Sequence, residues 1–328
     1  MPNYELPIIN YKYTLGLCIK LKVSKLMPVL GFCLMFWGNT LKAQQEPMYS
    51  QYMFNMLNMN PAYAGNLGGD NVTLLYRMQW VGVDGAPKTG TLSWDKRLPD
   101  SNVGYGVQIY NDRLGIETTT GAQAFYSYRI PFDNSNFVFG LSAGALNYRA
   151  AYSRSTIVNP NDPLFEQDVN VILPSVGFGV LYNSERMYMG FSIPALLKTK
   201  VDISNTVVST TANHHYFLTG GYIFNLSNDY KLKPSTLLKA VEGSPLSFDL
   251  NMNIWYQNSL GGGLSYRYKD AVVGMFEIQL SPTLRLGYAY DYTLSSLKTY
   301  NVGGSHELML RYEFNVPRYR KVLSPRYY

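Results

Sequence analysis

The chain has 328 residues, of which 15% are aromatic and only 15% charged, and 29 of them are tyrosine. Soluble domains carry about 25% charged residues, and tyrosine suits a membrane–water boundary, so this composition favours a membrane protein over a soluble all-β protein. The net charge of +6 falls to +2 without the five lysines and one glutamate of residues 1–43, which gives no support for a nucleic-acid partner. Both cysteines, Cys18 and Cys33, lie in the same stretch, so the rest of the chain has no disulfide or thiol chemistry.

Residues 1–43 are typical of a secretory signal peptide with an N-terminal extension. Three lysines precede an apolar run at 27–37, and the small residue Ala43 precedes Gln44. This order predicts cleavage between Ala43 and Gln44. The alternative is a retained N-terminal helix, although the apolar run is too short to anchor the chain across a membrane.

Residues 44–69 show no strand alternation, and Tyr52 and three methionines recur near helical spacing. The stretch 60–65 ends any helix, because proline disfavours helix in the residue before it and glycine supplies turn geometry. Such a segment either folds into the lumen of a barrel as a plug or forms a periplasmic lead-in against the barrel mouth. The candidate residues for plug or partner contact are Tyr49, Gln51, Tyr52, Phe54, Asn55, Asn60, Pro61 and Tyr63.

Residues 70–315 repeat stretches of alternating apolar and polar side chains that end in turn residues. Alternation with a period of two places the two sets on opposite faces of a strand. A closed antiparallel ring of such strands crosses a membrane because it satisfies all its backbone hydrogen bonds. We therefore predict an all-β, transmembrane antiparallel β-barrel of about 14 strands. The strands are predicted near 70–80, 88–98, 102–111, 116–131, 136–149, 171–183, 186–193, 213–226, 233–241, 246–257, 259–268, 271–280, 283–293 and 304–315.

Charged residues within these strands occupy the polar phase, which keeps them away from lipid. They either fill and ion-pair the interior or line a selective permeation path. The candidate lumen-facing residues are Arg77, Asp249, Arg267, Glu277, Arg285, Asp291, Glu307 and Arg311.

The connections also carry information about orientation. Residues 183–185 and 269–270 read as tight turns, whereas 150–170 and 194–212 are long. Long loops of outer-membrane barrels usually face outside and short turns face the periplasm. Residues 316–328 are predicted to form a basic periplasmic tail.

No catalytic or metal-binding constellation is recognisable in the sequence. It contains no Gly-x-Ser-x-Gly elbow, no His-Glu-x-x-His helix and no phosphate loop. His214 and His215 point to opposite faces of a strand and cannot chelate one metal together. We predict no enzyme activity and no cofactor; a lipid-acting enzyme using His306 would lack a second partner.

Several motifs resemble those of the PorP/SprF family of the type IX secretion and gliding-motility systems of Bacteroidetes. The opening motifs are QYMFN at 51–55, NPAYAG at 60–65, RMQWVG at 77–82 and GAPKT at 85–89. The later motifs are HYF at 215–217, GY at 221–222, KPS at 233–235, SYR at 265–267, GYAYD at 287–291, GSHEL at 304–308 and SPRYY at 324–328. The final tyrosine replaces a more usual phenylalanine.

This resemblance implies an outer-membrane barrel that supports protein secretion rather than catalysis. Its implied partners are periplasmic ring proteins, a peptidoglycan-linked adaptor, membrane lipid and a secreted, adhesin-like cargo with a C-terminal sorting domain. The alternative function is an outer-membrane channel for hydrophobic or small polar solutes.

Overall fold

A computed structural model describes residues 48–154, 168–197, 200–203, 206–211, 214–242, 244–295 and 303–314 of the protein. The predicted signal peptide, its cleavage site at Ala43–Gln44 and the predicted basic tail lie outside the described residues.

Seventeen strands run through the described residues, and fourteen of them form one closed antiparallel barrel. The first seven are β1 (Asp70–Met78), β2 (Lys88–Arg97), β3 (Val103–Leu114), β4 (Glu117–Pro131), β5 (Ser135–Ala150), β6 (Val169–Ser184) and β7 (Met187–Ile193). Between them and the second half lie β8 (Lys200–Ile203) and β9 (Thr206–Thr211). The remainder are β10 (His215–Tyr222), β11 (Phe224–Asn225), β12 (Tyr230–Val241), β13 (Ser247–Tyr256), β14 (Leu260–Arg267), β15 (Ala271–Ser281), β16 (Leu284–Thr293) and β17 (Ser305–Phe314).

The barrel closes through two pairings that join its halves. Strands β1 to β7 pair in sequence, β7 pairs with β10, β10 with β12, and β12 to β17 again pair in sequence. Strand β17 then pairs with β1, with Asp70 opposite Phe314 and Met78 opposite His306. The prediction of a 14-stranded antiparallel barrel is therefore confirmed.

Strand alternation separates the two faces of the wall as the sequence pattern indicates. On β16, Leu286, Tyr288, Tyr290 and Tyr292 are exposed on the outer face, whereas the residues between them are buried. The outer face is apolar and meets lipid, and the inner face is rich in Ser, Thr, Asn and charged residues. The period of two decides this arrangement, since each side chain points opposite to its neighbours.

The even strand number places the start of β1 and the end of β17 at the same end of the barrel. We call it the short-turn end, because its connections include the tight turns 132–134, 185–186 and 282–283. The opposite end, the loop end, carries the long connections 151–168, 194–214 and 294–304. Because the long loops of outer-membrane barrels usually face outside, we expect the loop end to face the cell exterior.

Two details differ from the sequence prediction. The predicted long loop 194–212 contains the separate hairpin β8–β9, which pairs with no barrel strand. The tight turn at Lys269 and Asp270 lies at the loop end, because it connects β14 to β15. Turn length alone therefore does not assign every connection to a side of the membrane.

Candidate functional site

The inside of the barrel is occupied by the chain's own N-terminal segment, residues 48–69, which we call the lumenal segment. All its residues are buried except Met48, Asn58 and Gly68, which are partly buried. Its hydrogen-bond partners lie on the inward faces of strands around the whole ring. It forms three short 3-10 turns, Tyr52–Phe54, Met56–Asn58 and Pro61–Tyr63, in place of the single helix that the methionine spacing suggests.

The first end of the lumenal segment is held by carboxylates. The backbone amides of Ser50 and Gln51 donate to the two oxygens of Glu307 at 2.7 and 2.8 Å. Arg77 donates to Glu307 at 3.1 Å and to Asp291 at 2.7 Å. The Ser50 hydroxyl donates to Asp291 at 2.7 Å and accepts from Arg77 at 2.7 Å. These buried groups pair with one another, as charges removed from water require, although the Nε atom of Arg77 has no hydrogen-bond partner among the described residues.

A second arginine extends this charged cluster across the lumen. Arg267 lies 3.3 Å from Asp249, 3.5 Å from Asp291 and 3.3 Å from Asp270. Acidic groups therefore outnumber arginines in the cluster. Backbone N–H groups at the start of the lumenal segment supply part of the missing positive charge, because amide donors stabilise anions.

The middle of the lumenal segment is hydrogen-bonded to polar side chains of the barrel wall. Asn251 donates to the Tyr52 hydroxyl at 2.6 Å, and Asn55 donates to the Ser93 hydroxyl at 3.0 Å. The hydroxyl of Tyr49 hydrogen-bonds that of Thr91. These contacts reach strands on opposite sides of the ring, so they fix the segment's position across the lumen.

Residues 60–65 lie against a row of inward-facing glycines on neighbouring strands. A Cβ atom at Gly104 would lie 2.2 Å from the carbonyl oxygen of Ala64, and one at Gly140 would lie 2.1 Å from the amide of Ala62. A Cβ at Gly179 would lie 2.0 Å from the side-chain oxygen of Asn60. Glycine is therefore required here for the close approach of two backbones.

Asn60 connects the lumenal segment to the glycine row in two ways. Its oxygen accepts from the amide of Ala62 at 2.9 Å, which caps the third 3-10 turn. Its side-chain nitrogen donates to the carbonyl of Val180 at 3.1 Å. Ser192 donates to the carbonyl of Met59 at 2.7 Å just before it.

The second end of the lumenal segment is held near the short-turn end. The amide of Gly65 donates to Asp95 at 2.9 Å. The side-chain oxygen of Asn66 accepts from Arg129 at 3.0 Å and from Asn183 at 2.9 Å. Gly65 has φ +64, a conformation that favours glycine, and the chain turns there towards β1.

The hydrogen bonds at its two ends fix the direction in which the lumenal segment runs through the barrel. Glu307, Arg77 and Asp291 lie in the loop-end halves of their strands, whereas Asp95 and Arg129 lie in the short-turn halves. The lumenal segment therefore runs from the loop end to the short-turn end, and β1 then runs back along the wall.

The structure places every candidate contact residue of this segment in the lumen. Tyr49, Gln51, Tyr52, Phe54, Asn55, Asn60, Pro61 and Tyr63 are all buried. Of the candidate lumen-facing residues, Arg77, Asp249, Arg267, Asp291 and Glu307 meet in the charged cluster.

The other three candidate lumen-facing residues lie elsewhere in the barrel. Arg285 pairs with Glu277 at 2.5 Å, and Arg311 donates to the carbonyl of Phe54 at 3.4 Å. The space beside Phe54 and Glu277 is too small to hold a water molecule. The lumenal segment and the polar wall therefore fill most of this part of the interior.

Sequence reasoning missed several residues that hold the lumenal segment. Ser50, Asn66, Asp95, Arg129 and the inward glycines were not selected. Glycines at inward positions of β3, β5 and β6 were a usable signal, since such positions otherwise carry side chains that fill the lumen.

In the described ranges, no three His, Cys, Asp or Glu side chains are placed to hold a metal ion. No helix among the described residues has the length and apolar character needed to cross a membrane.

Comparison with protein families gives the identity of this architecture. The family described as "Type IX secretion system membrane protein PorP/SprF" matches residues 41–312. The chain belongs to the PorP/SprF family. As a PorP/SprF member with this barrel, it is an outer-membrane component of the type IX secretion system.

Solved outer-membrane proteins are among the structures to which this PorP/SprF protein is similar. Omp33 of Acinetobacter baumannii has a TM-score of 0.45 and 9% identity, covering 75% of this chain and 98% of that one. The toluene transporter TbuX of Ralstonia pickettii has a TM-score of 0.46 and 8% identity, covering 80% and 93%. The translocator domain of the autotransporter NalP from Neisseria meningitidis has a TM-score of 0.41 and 11% identity, covering 80% and 93%. No curated protein matches the chain.

Proposed function

We propose that this PorP/SprF protein supports the secretion or surface attachment of a specific adhesin-like cargo, and that it does so as a non-enzymatic docking barrel with an occupied lumen. The cargo carries a C-terminal sorting domain. The periplasmic ring proteins and the peptidoglycan-linked adaptor contact the barrel from the short-turn end.

The observation that carries the proposal is the lumenal segment. It is bonded to carboxylates near the loop end, packed on glycines in the middle and bonded to Asp95 near the short-turn end. A channel for solutes needs a water-filled path with sites that bind weakly enough to release. A lumen filled by an anchored polypeptide favours docking over conduction.

The two ends of the barrel offer different surfaces for such docking. The loop end carries the long connections that face the cell exterior, where a surface protein must be retained. The short-turn end is within reach of periplasmic components. A barrel with these two faces links an external cargo to an internal machine without passing the cargo through its lumen.

The test compares the surface and secreted proteomes of the native host with and without this gene. We expect loss of one or a few large surface proteins, with the others unchanged. Loss of every machine-dependent cargo would indicate a core component instead. An unchanged proteome, together with solute flux through the purified barrel in bilayers, would favour the channel for hydrophobic or small polar solutes.

A further inference from the structure

Three cations lie in one row on the outer face of the barrel. Lys88 is directly opposite Arg113 across β2 and β3. Arg113 is opposite Thr118, and Thr118 is opposite Arg149. Because neighbouring strands lie about 4.8 Å apart, Lys88 and Arg149 are separated by roughly 14 Å at their backbones, a span that three long side chains can bridge.

The side chains of this basic row point towards the membrane side of the wall. Lys88, Arg113 and Arg149 are exposed, and the exposed apolar residues Leu92 and Ile109 share their faces on β2 and β3. The row lies at the loop-end limit of these strands, above an apolar band that extends down β4 from Ala122 to Ile130. The cations therefore lie where the lipid chains end and the outer-leaflet headgroups begin.

The basic row has no neutralising partner among the described residues. No ion pair or hydrogen bond joins its three cations to another part of the described chain. Asp112 and Glu117, the acidic neighbours on β3 and β4, have the inward phase, and Asp112 accepts from Thr89. Like charges directly opposite each other on a sheet destabilise it, so a bound anion would relieve this row.

A second row of polar side chains lies just below the cations. Asn111 donates to Thr120 at 2.7 Å, and Asn147 donates to Asn170 at 3.0 Å. These amides and hydroxyls face outwards and keep further donors and acceptors for sugar hydroxyls. At a membrane boundary, this arrangement is complementary to a phosphorylated sugar headgroup: the cations would bind its phosphates, and the amides and hydroxyls below them would bind its sugar hydroxyls.

We propose that Lys88, Arg113 and Arg149 form a binding site for the phosphate groups of an outer-leaflet glycolipid. Guanidinium and ammonium groups bind phosphate through charge-assisted hydrogen bonds. The site fixes one sector of the barrel, β2 to β6, against a lipid headgroup, and leaves the lumen untouched.

The test titrates the folded full-length barrel in detergent with lipid A carrying two phosphates, and with the same lipid after removal of its phosphates. Native mass spectrometry measures the bound fraction. The unmodified protein should bind the phosphorylated lipid more tightly than the dephosphorylated lipid. Equal affinity for both would overturn the proposal without any variant.

The variant arm compares Arg113→Gln/Arg149→Gln with Arg186→Gln/Lys269→Gln, which removes two exposed cations outside the row. With a loss of about fivefold for each of the two cations, the first variant should bind phosphorylated lipid roughly 30-fold more weakly. Arg113→Lys/Arg149→Lys should retain most of the affinity. Equal losses in the two Gln variants would overturn the proposal. Inorganic phosphate that binds as tightly as the lipid would also overturn it, since the site would then recognise free phosphate.

Discussion

Glu307 offers the sharpest test of how the lumenal segment is held. The change Glu307→Gln keeps the shape of the side chain and removes its charge. Glu307 accepts from the amides of Ser50 and Gln51 at 2.7 and 2.8 Å and from Arg77 at 3.1 Å. The amide replacement has one acceptor oxygen, so it leaves at least one of these buried donors without a partner.

The size of the effect follows from these contacts. Breaking a buried ion pair by removing one partner costs about 3–5 kcal/mol. A loss of about 3 kcal/mol shifts the equilibrium between seated and unseated lumenal segment by roughly 150-fold. The charged cluster would retain Asp291 as a partner for Arg77, which is why the lower end of the range is expected.

The assay is single-channel recording of the purified barrel in a planar bilayer. The fraction of time that the barrel spends open should be roughly 150-fold larger in Glu307→Gln than in the unmodified protein, because an unseated segment frees the lumen. The matched control is Glu277→Gln. Glu277 is also buried and paired with an arginine, but its hydrogen bonds go to Arg285 and Trp255 of the wall. Equal open fractions in the two variants would refute the reasoning.

Three further predictions concern the same segment. Gly140→Ala should lower the free energy of unfolding of the barrel by about 1–3 kcal/mol in urea titrations, because its Cβ would meet the backbone of the lumenal segment. Gly274→Ala, which has open space around it, should leave the free energy of unfolding unchanged. Similar losses of stability in the two variants would contradict the close approach of the lumenal segment to Gly140. Deleting residues 44–65 should raise bilayer conductance, and an unchanged conductance would show that the segment does not limit passage. A Met48→Cys variant should react with a membrane-impermeant maleimide on intact cells. Asp133→Cys, in a turn at the short-turn end, should react only after the cells are permeabilised. The reverse pattern would contradict the direction in which the lumenal segment runs.

The barrel was predictable because strand alternation is a local property of the sequence. A residue such as Tyr288 faces lipid and its neighbour Ala289 faces inwards whatever the rest of the chain does. The charged residues followed the same phase, so Asp291 and Glu307 were assigned to the inner face from their own strands alone.

The path of the lumenal segment could not be predicted in this way. Its position depends on contacts far apart in sequence, such as Gly65 with Asp95 and Ser50 with Glu307. Short 3-10 turns leave no clear period in the sequence. The role of Gly140 becomes evident only when the backbone of Ala62 is seen beside it.

The lumenal segment has a consequence for assembly. It precedes β1 in the chain, and the barrel closes only when β17, the last strand, pairs with β1. A barrel that closed empty would leave the carboxylates of Asp291 and Glu307 without the hydrogen bonds that Ser50 and Gln51 donate to them. The segment would then have to enter a narrow interior from the short-turn side. Closure around a segment already in place avoids both costs, so residues 48–69 act as the template on which the last strand of the barrel completes the ring.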